Sequence, residues 1–84
     1  MSFQIYVGNL AYKMTEDSLK ELFEQHGEVA SVKIIKDRFS GRSKGFGFVE
    51  MADKQAAENA IQKLNGAEVD GRNLRVNEAK PRRE

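Results

Sequence analysis

The sequence contains no cysteine and only one histidine, His26. Without cysteine there is neither a disulfide framework nor a thiolate metal site, and a single histidine argues against a site built from several imidazole ligands. No apolar run is long enough to cross a bilayer, and no charged start followed by an apolar stretch suggests a signal peptide. We therefore expect no cofactor, no metal and no membrane partner, and the lack of cysteine fits an intracellular compartment.

Neither sign of charge dominates, because 14 Lys and Arg residues are balanced by 13 Asp and Glu residues. The distribution is nevertheless uneven. Residues 33–44 hold five basic side chains against one acidic one, and residues 72–84 hold five against two, so the rest of the chain is acidic. A domain polarised in this way can present a basic surface to a polyanion, although basic loops in solvent would give the same pattern.

Two segments have the pattern of amphipathic helices. Thr15 precedes acidic residues and an apolar stripe, which predicts an N-capped first helix that ends at Gly27. Asp53 caps a second helix, which stops at residues 65–66. The apolar stripes are Leu19, Leu22 and Phe23 in the first helix and Ala57, Ala60, Ile61 and Leu64 in the second.

Alternation of apolar and polar residues predicts four strands. They cover residues 4–10, 28–36, 44–51 and 73–77, with a turn at residues 69–71 before the last of them. The order is therefore βαββαβ, and right-handed crossovers place both helices on one side of the sheet. We predict an α+β fold, a ferredoxin-like two-layer sandwich with a four-stranded antiparallel sheet and two helices on one face. We assign residues 1–79 to this one domain and residues 80–84 to a short basic tail, which we expect to be mobile.

The third strand, KGFGFVEM, interleaves glycine with phenylalanine. Alternation places Phe46 and Phe48 on the face away from the helices, together with Tyr6 of the first strand. Gly47 then points toward the helices, where a missing side chain would let a helix approach closely. No predicted element covers the three aromatic residues. A contiguous apolar surface of this kind usually marks a binding site. The alternative is that the three aromatic residues are core residues covered by another layer of the structure.

Two segments carry a resemblance to a known family. KGFGFVEM, residues 44–51, resembles the eight-residue ribonucleoprotein signature of the RNA recognition motif, and IYVGNL, residues 5–10, resembles the hexamer on that family's first strand. The resemblance covers residues 3–79 and is greatest to the small stand-alone RNA-binding proteins of bacteria and cyanobacteria. Met51 departs from the signature, which usually has an aromatic there, but it points inward and so affects the filling of the core.

The resemblance implies a role for each residue on the open face. Tyr6 and Phe48 would each stack a base, Phe46 would lie against sugars, and Lys44 would neutralise a phosphate. Other outward-facing side chains could donate to base edges or phosphates, and the backbone near the end of the last strand could read Watson–Crick edges. These further contacts are assigned to the side chains of Gln4, Lys33, Arg75 and Asn77 and to the backbone of Glu78 and Ala79.

We therefore expect the protein to bind single-stranded RNA, and single-stranded DNA more weakly. The favourable free energy of stacking is partly offset by the free-energy cost of association, so we predict micromolar affinity for about three or four nucleotides, with modest sequence preference. We expect a monomer in the cytoplasm, or in the nucleus or an organelle if the source is eukaryotic. The alternative is a module that recognises peptides on the same fold. An enzyme is not expected, because one histidine and no cysteine supply no nucleophile–base pair.

Two further residues allow two interpretations each. Phe39 lies in the polar loop of residues 37–45, where we expect it to fold back against its own hairpin; the alternative is that it clamps a base. Glu50 is expected to be a solvated strand residue, and the alternative is that it accepts a hydrogen bond from a base amino group.

Overall fold

The computed structural model describes residues 3–11, 13–36, 38–41 and 43–79, so the predicted tail at residues 80–84 lies outside the described part. The elements are, in chain order, β1 (Phe3–Gly8), α1 (Glu16–Glu24), β2 (Val29–Lys36), β3 (Ser43–Met51), α2 (Lys54–Leu64), β4 (Glu68–Val69), β5 (Arg72–Asn73) and β6 (Arg75–Ala79). The main sheet has the strand order β2-β3-β1-β6, with every pairing antiparallel. The α+β sandwich with both helices on one face of a four-stranded sheet is confirmed.

The end of the chain differs from the prediction in one respect. The sequence predicted a last strand at residues 73–77, but β6 pairs with β1 over Arg75–Ala79, and residues 72–73 pair instead with β4 in a separate hairpin. Asp70 and Gly71 form the turn of this hairpin with φ values of 54° and 80°, which is the pattern of a type I′ turn. Strands of two residues are too short to show alternation, so the sequence pattern merged the hairpin with the strand that follows it.

Both helices begin where the sequence predicts. The side chains of Thr15 and Asp53 accept hydrogen bonds from backbone N–H groups three residues later, at 3.1 Å and 2.9 Å. Each cap satisfies a donor that has no partner within its helix. The first helix ends at Glu24, before the predicted stop at Gly27. In the described part of the chain, neither helix has the length and apolar character needed to cross a bilayer.

The core lies between the sheet and the helices. Ile5 of β1 and Val49 of β3 are fully buried against Phe23 of α1 and Leu64 of α2. Met51 is fully buried in the same cluster, so the departure from the family signature is accommodated in the core, as predicted. Because strand residues alternate, burial of these residues directs their neighbours to the other face of the sheet.

Gly47 is required by a neighbouring strand and not by a helix. A Cβ at this position would overlap the carbonyl oxygen of Lys33 and lie 3.0 Å from the Cα of Ile34, both in β2. The prediction that Gly47 lets a helix approach is therefore wrong. The backbone of β2 crowds β3 next to the point where their register is irregular, between Ile34 and Lys36, and alternation alone could not identify that neighbour.

A side chain covers one backbone donor at each edge of the sheet. The edge strands are β2 and β6. The carboxylate of Glu16, the first residue of α1, accepts a hydrogen bond from the N–H of Ile34 at 3.1 Å. The side-chain carbonyl of Asn65, just after α2, accepts one from the N–H of Val76 at 3.1 Å. Unpaired edge groups can pair with strands of other chains, so the helix ends block that pairing at these points.

The crowding at Gly47 predicts a stability difference between two glycine substitutions. Gly47→Ala should lower the free energy of unfolding by roughly 3 kcal/mol, because backbone atoms of β2 must move to admit the new methyl group. Gly66→Ala is the control, because Gly66 has a φ of 86° but no atom within 4 Å of the added Cβ, and it should cost only backbone strain of about 1 kcal/mol. Denaturant unfolding of both variants measures the difference. Equal losses of unfolding free energy in the two variants would show that the backbone of β2 moves aside without a free-energy penalty.

Candidate nucleic-acid interface

Three aromatic side chains occupy adjacent positions on the sheet face away from the helices. Tyr6 of β1 is paired with Phe48 of β3, and Gly8 is paired with Phe46. The ring centroid of Tyr6 lies 5.9 Å from that of Phe48 and 6.0 Å from that of Phe46, and the two phenylalanine rings are 6.3 Å apart. Tyr6, Phe46 and Phe48 therefore form one continuous surface, here named the aromatic patch.

The aromatic patch is half-buried, which is less exposed than the sequence suggested. Phe48 stands at 65° to Tyr6 and at 89° to Phe46. These edge-to-face contacts are favourable between aromatic rings and cover part of each side chain. The rings consequently hold one another in place before any ligand binds, and truncation of one ring removes packing from the other two.

Gly8 gives the Tyr6 ring its position. A Cβ at Gly8 would lie 2.5 Å from the Tyr6 Oη and 2.9 Å from two of the ring carbons. The ring therefore lies over residue 8, where any larger residue would displace it. No local pattern in the sequence indicates this contact.

The predicted polar residues lie on both sides of the aromatic patch. Lys33 of β2 is paired with Phe48, and Asn77 of β6 is paired with Tyr6, so these four residues form one row across the sheet. Arg75 occupies the next row on β6, opposite the glycine beneath the tyrosine ring. The side chains of Lys33, Arg75 and Asn77 are all exposed. The structure thus brings a cation to each flank of the patch.

The remaining predicted residues lie toward the other end of the face. Gln4 and Ala79 are paired and share the open side of the sheet. Glu78 is paired with Ile5, so its side chain lies on the helix side. It can contribute to the open face only through its backbone, which is the role the sequence assigned to it. The side chain of Lys44 lies outside the described part of the chain.

A shallow pocket of about 250 Å³ lies beside Phe48. It is lined by Gln4, Ser31, Lys33, Phe48, Val49 and Glu50. The hydroxyl group of Ser31 donates a hydrogen bond to the Glu50 carboxylate at 2.9 Å. Glu50 is half-buried, and this hydrogen bond is exposed to solvent, so Glu50 is a partly solvated strand residue that is also bonded to a neighbouring strand. Sequence reasoning missed Ser31 entirely.

Asn9 ties the end of β1 to the β4–β5 hairpin. Its backbone has a φ of 58°, and its side-chain amide donates to the carbonyl oxygen of Asn73 at 2.8 Å. The side-chain oxygen of Asn9 accepts a hydrogen bond from Arg72 at 3.0 Å. Arg72 is thereby held at the same end of the sheet as Arg75, whereas the sequence counted it only as charge. No local pattern in the sequence can reveal partners so distant in the chain.

Phe39 stands apart from the aromatic patch. Its side chain is 96% exposed, so the expectation that it folds back against its own hairpin is wrong. Part of the same loop, Asp37 and Arg42, lies outside the described residues.

Comparison with known proteins agrees with the geometry. The family model for the RNA recognition motif matches residues 5–75. The RNA-binding protein RbpE of Nostoc sp. (strain PCC 7120) is 52% identical over 95% of this chain and 81% of its own. The chloroplast 29 kDa ribonucleoprotein of Arabidopsis thaliana is 48% identical over 94% of this chain, which spans only 23% of that longer protein.

Solved structures also match the chain over most of its length. The crystal structure of RNA binding protein PG1 is 50% identical, with a TM-score of 0.92 over 98% of this chain and 99% of that one. The structure of the Rna15 RRM with bound RNA (GU) is 31% identical, with a TM-score of 0.84 over 93% of this chain and 83% of that one.

The matched segment includes both aromatic motifs and runs from β1 to the start of β6. The relatives are named for RNA binding and not for catalysis. Family model, relatives and solved structures all agree with the observed fold. The chain belongs to the RNA recognition motif family.

Proposed function

We propose that this protein binds single-stranded RNA by stacking bases on the aromatic patch. The observation that carries the proposal is the adjacency of Tyr6, Phe46 and Phe48, whose ring centroids lie about 6 Å apart on the face that neither helix covers. Every base offers a π-face, but only an unpaired base can present it to a side chain. The RNA-binding relatives and the related structure with bound RNA support this ligand.

The row across the sheet suggests how a strand of RNA lies. Tyr6 and Phe48 each stack one base, and Phe46 lies against the sugars between them. Lys33 and Asn77 end this row on either side, so they are placed to donate to the edges of the stacked bases or to the adjoining phosphates. Stacking then supplies most of the affinity, and the flanking side chains set the direction of the strand.

Residues at the two ends of the face supply the remaining contacts. Arg75 and Lys44 neutralise phosphates, which adds a salt-dependent contribution to the affinity. Gln4 and the backbone of Glu78 and Ala79, at the opposite end of β1 and β6 from Arg75, contact base edges. A ligand that reached all of these groups would span about three or four nucleotides, since two or three bases occupy the stacking residues.

The free energies of stacking and association together favour moderate affinity. Each stack is worth roughly 1–3 kcal/mol, and the costs of association and ordering remove several kcal/mol from the sum. We therefore propose micromolar binding with modest sequence preference, and weaker binding of single-stranded DNA, which lacks the 2′-hydroxyl groups. Residues 1–79 act as one monomeric domain. Relatives from bacteria, chloroplasts and mitochondria suggest a bacterial cytoplasm or an organelle as the location.

Substitution of Phe48 tests the stacking role. Phe48→Leu should weaken binding of a short mixed-sequence RNA by roughly 1–3 kcal/mol, because leucine retains apolar bulk but lacks a flat ring. The matched control is Val49→Ala, at the next residue, whose side chain is fully buried on the helix side of the sheet. It should lower the free energy of unfolding by roughly 1–3 kcal/mol and leave the affinity of the folded protein unchanged.

RNA titrations followed by NMR at the Tyr6 ring, with denaturant unfolding of each variant, provide both measurements. The stacking assignment would be wrong if Val49→Ala lost affinity and Phe48→Leu did not. A peptide-binding module would show no response of the ring to RNA in any variant.

The contact between Gly8 and Tyr6 predicts a loss of binding without a loss of stability. In Gly8→Ala the new methyl group displaces the tip of a flexible side chain, so the free energy of unfolding should change by less than about 1 kcal/mol. Affinity for RNA should fall by roughly the value of one stack, 1–3 kcal/mol. In a Tyr6→Leu background, Gly8→Ala should cause no further loss of RNA affinity, because the tyrosine ring is already absent. Additive losses in this double-mutant cycle would show that Gly8 acts on RNA by another route.

Salt dependence tests the phosphate contacts. With three or four contacts to single-stranded RNA, log K plotted against log salt should have a slope of roughly −2 to −3. Arg75→Gln should reduce the size of this slope by about 0.7. Lys20→Gln is the control, since Lys20 lies on α1 and pairs with Glu24 at 3.8 Å, and it should leave the slope unchanged. A slope near zero for the unaltered protein would exclude contacts between the basic residues and the RNA backbone.

A further inference from the structure

The pocket beside Phe48 combines hydrogen-bond donors with a carboxylate. Lys33 offers only donors, Glu50 in its ionised form offers only acceptors, and Gln4 offers both. All three line the pocket together with Phe48. A base stacked on the Phe48 ring therefore has the pocket next to one of its edges.

Glu50 is the residue that phosphate binding does not explain. A carboxylate repels the phosphate backbone, so this position disfavours a phosphate and is better suited to the donor edge of a base. The Ser31 hydroxyl group donates to its Oε1 atom at 2.9 Å, which restrains the carboxylate on the open face. An ionised carboxylate has about four lone-pair sites, so it can accept hydrogen bonds from several donors at once.

The chemistry of the four bases favours guanine for this position. Guanine presents its N1–H and its exocyclic amino group side by side, and these two donors match the two oxygens of a carboxylate. Its O6 atom can at the same time accept a hydrogen bond from an ammonium group. Adenine and cytosine place a ring-nitrogen acceptor beside their amino group, and uracil has one N–H between two carbonyls. Each of these three would set a lone pair against the carboxylate, which is unfavourable when partly desolvated.

We propose that Glu50, oriented by Ser31, selects guanine at the position stacked on Phe48, with Lys33 donating to O6. This inference rests on the stacking function proposed above. Glu50 accordingly determines specificity, whereas the aromatic patch determines whether RNA binds at all.

The test compares three short RNAs: a uridine tract, the same tract with one guanosine, and the same tract with inosine in place of that guanosine. Inosine keeps N1–H and O6 but lacks the exocyclic amino group. The guanosine RNA should bind about 5- to 100-fold more tightly than the uridine tract, with the inosine RNA in between. Glu50→Gln should abolish the preference and bind the uridine tract as tightly as before or more tightly. Ser31→Ala should reduce the preference in part.

Glu21→Gln is the control for a change of charge, since Glu21 is an exposed residue of α1, and it should leave all three affinities and their ratios unchanged. Equal binding of the three RNAs by the unaltered protein would overturn the inference and leave the stacking proposal standing. The inference would also be overturned if the Glu50→Gln variant kept the preference for guanine while denaturant unfolding showed that the variant is folded. Absence of binding to all three RNAs would instead overturn the stacking proposal, and this inference with it.

Discussion

The antiparallel pairing of β1 with β3 is the constraint on which both the core and the proposed interface depend. One register sets Ile5 opposite Val49 beneath the helices and Tyr6 opposite Phe48 on the open face. Because side chains alternate along a strand, a shift of one residue would turn both sets to the wrong side. The two strands lie in the middle of the sheet, so burial of the aliphatic residues fixes the placement of the aromatic ones.

Local patterns were sufficient to predict the order of elements, the caps at Thr15 and Asp53, and the face on which the aromatic residues lie. They failed where the outcome depends on structure outside the element itself. The start of the last strand at Arg75 depends on the hairpin formed by the residues just before it. The exposure of Phe39 depends on a loop whose polar composition gives no sign of the direction of that ring.

The candidate site was predicted as a set of residues but not as an arrangement. Gly8 lies at the end of β1 and Gly47 lies within β3. Gly8 makes room for the Tyr6 ring, whereas Gly47 makes room for the backbone of the next strand. The bond between Ser31 and Glu50 likewise joins residues 19 positions apart. No periodicity carries such information, because it arises only when β2 and β3 are aligned.

The hydrogen bonds from Ile34 to Glu16 and from Val76 to Asn65 also limit how this domain can associate. A peptide that binds by adding a strand to a sheet needs free backbone donors along an edge, and here it would first have to displace a side chain at each of these points. Several copies joined by short linkers experience a high effective concentration of one another. Covering these two donors disfavours strand exchange between such copies, so a tandem array could gain avidity for a long RNA while its sheets stay separate.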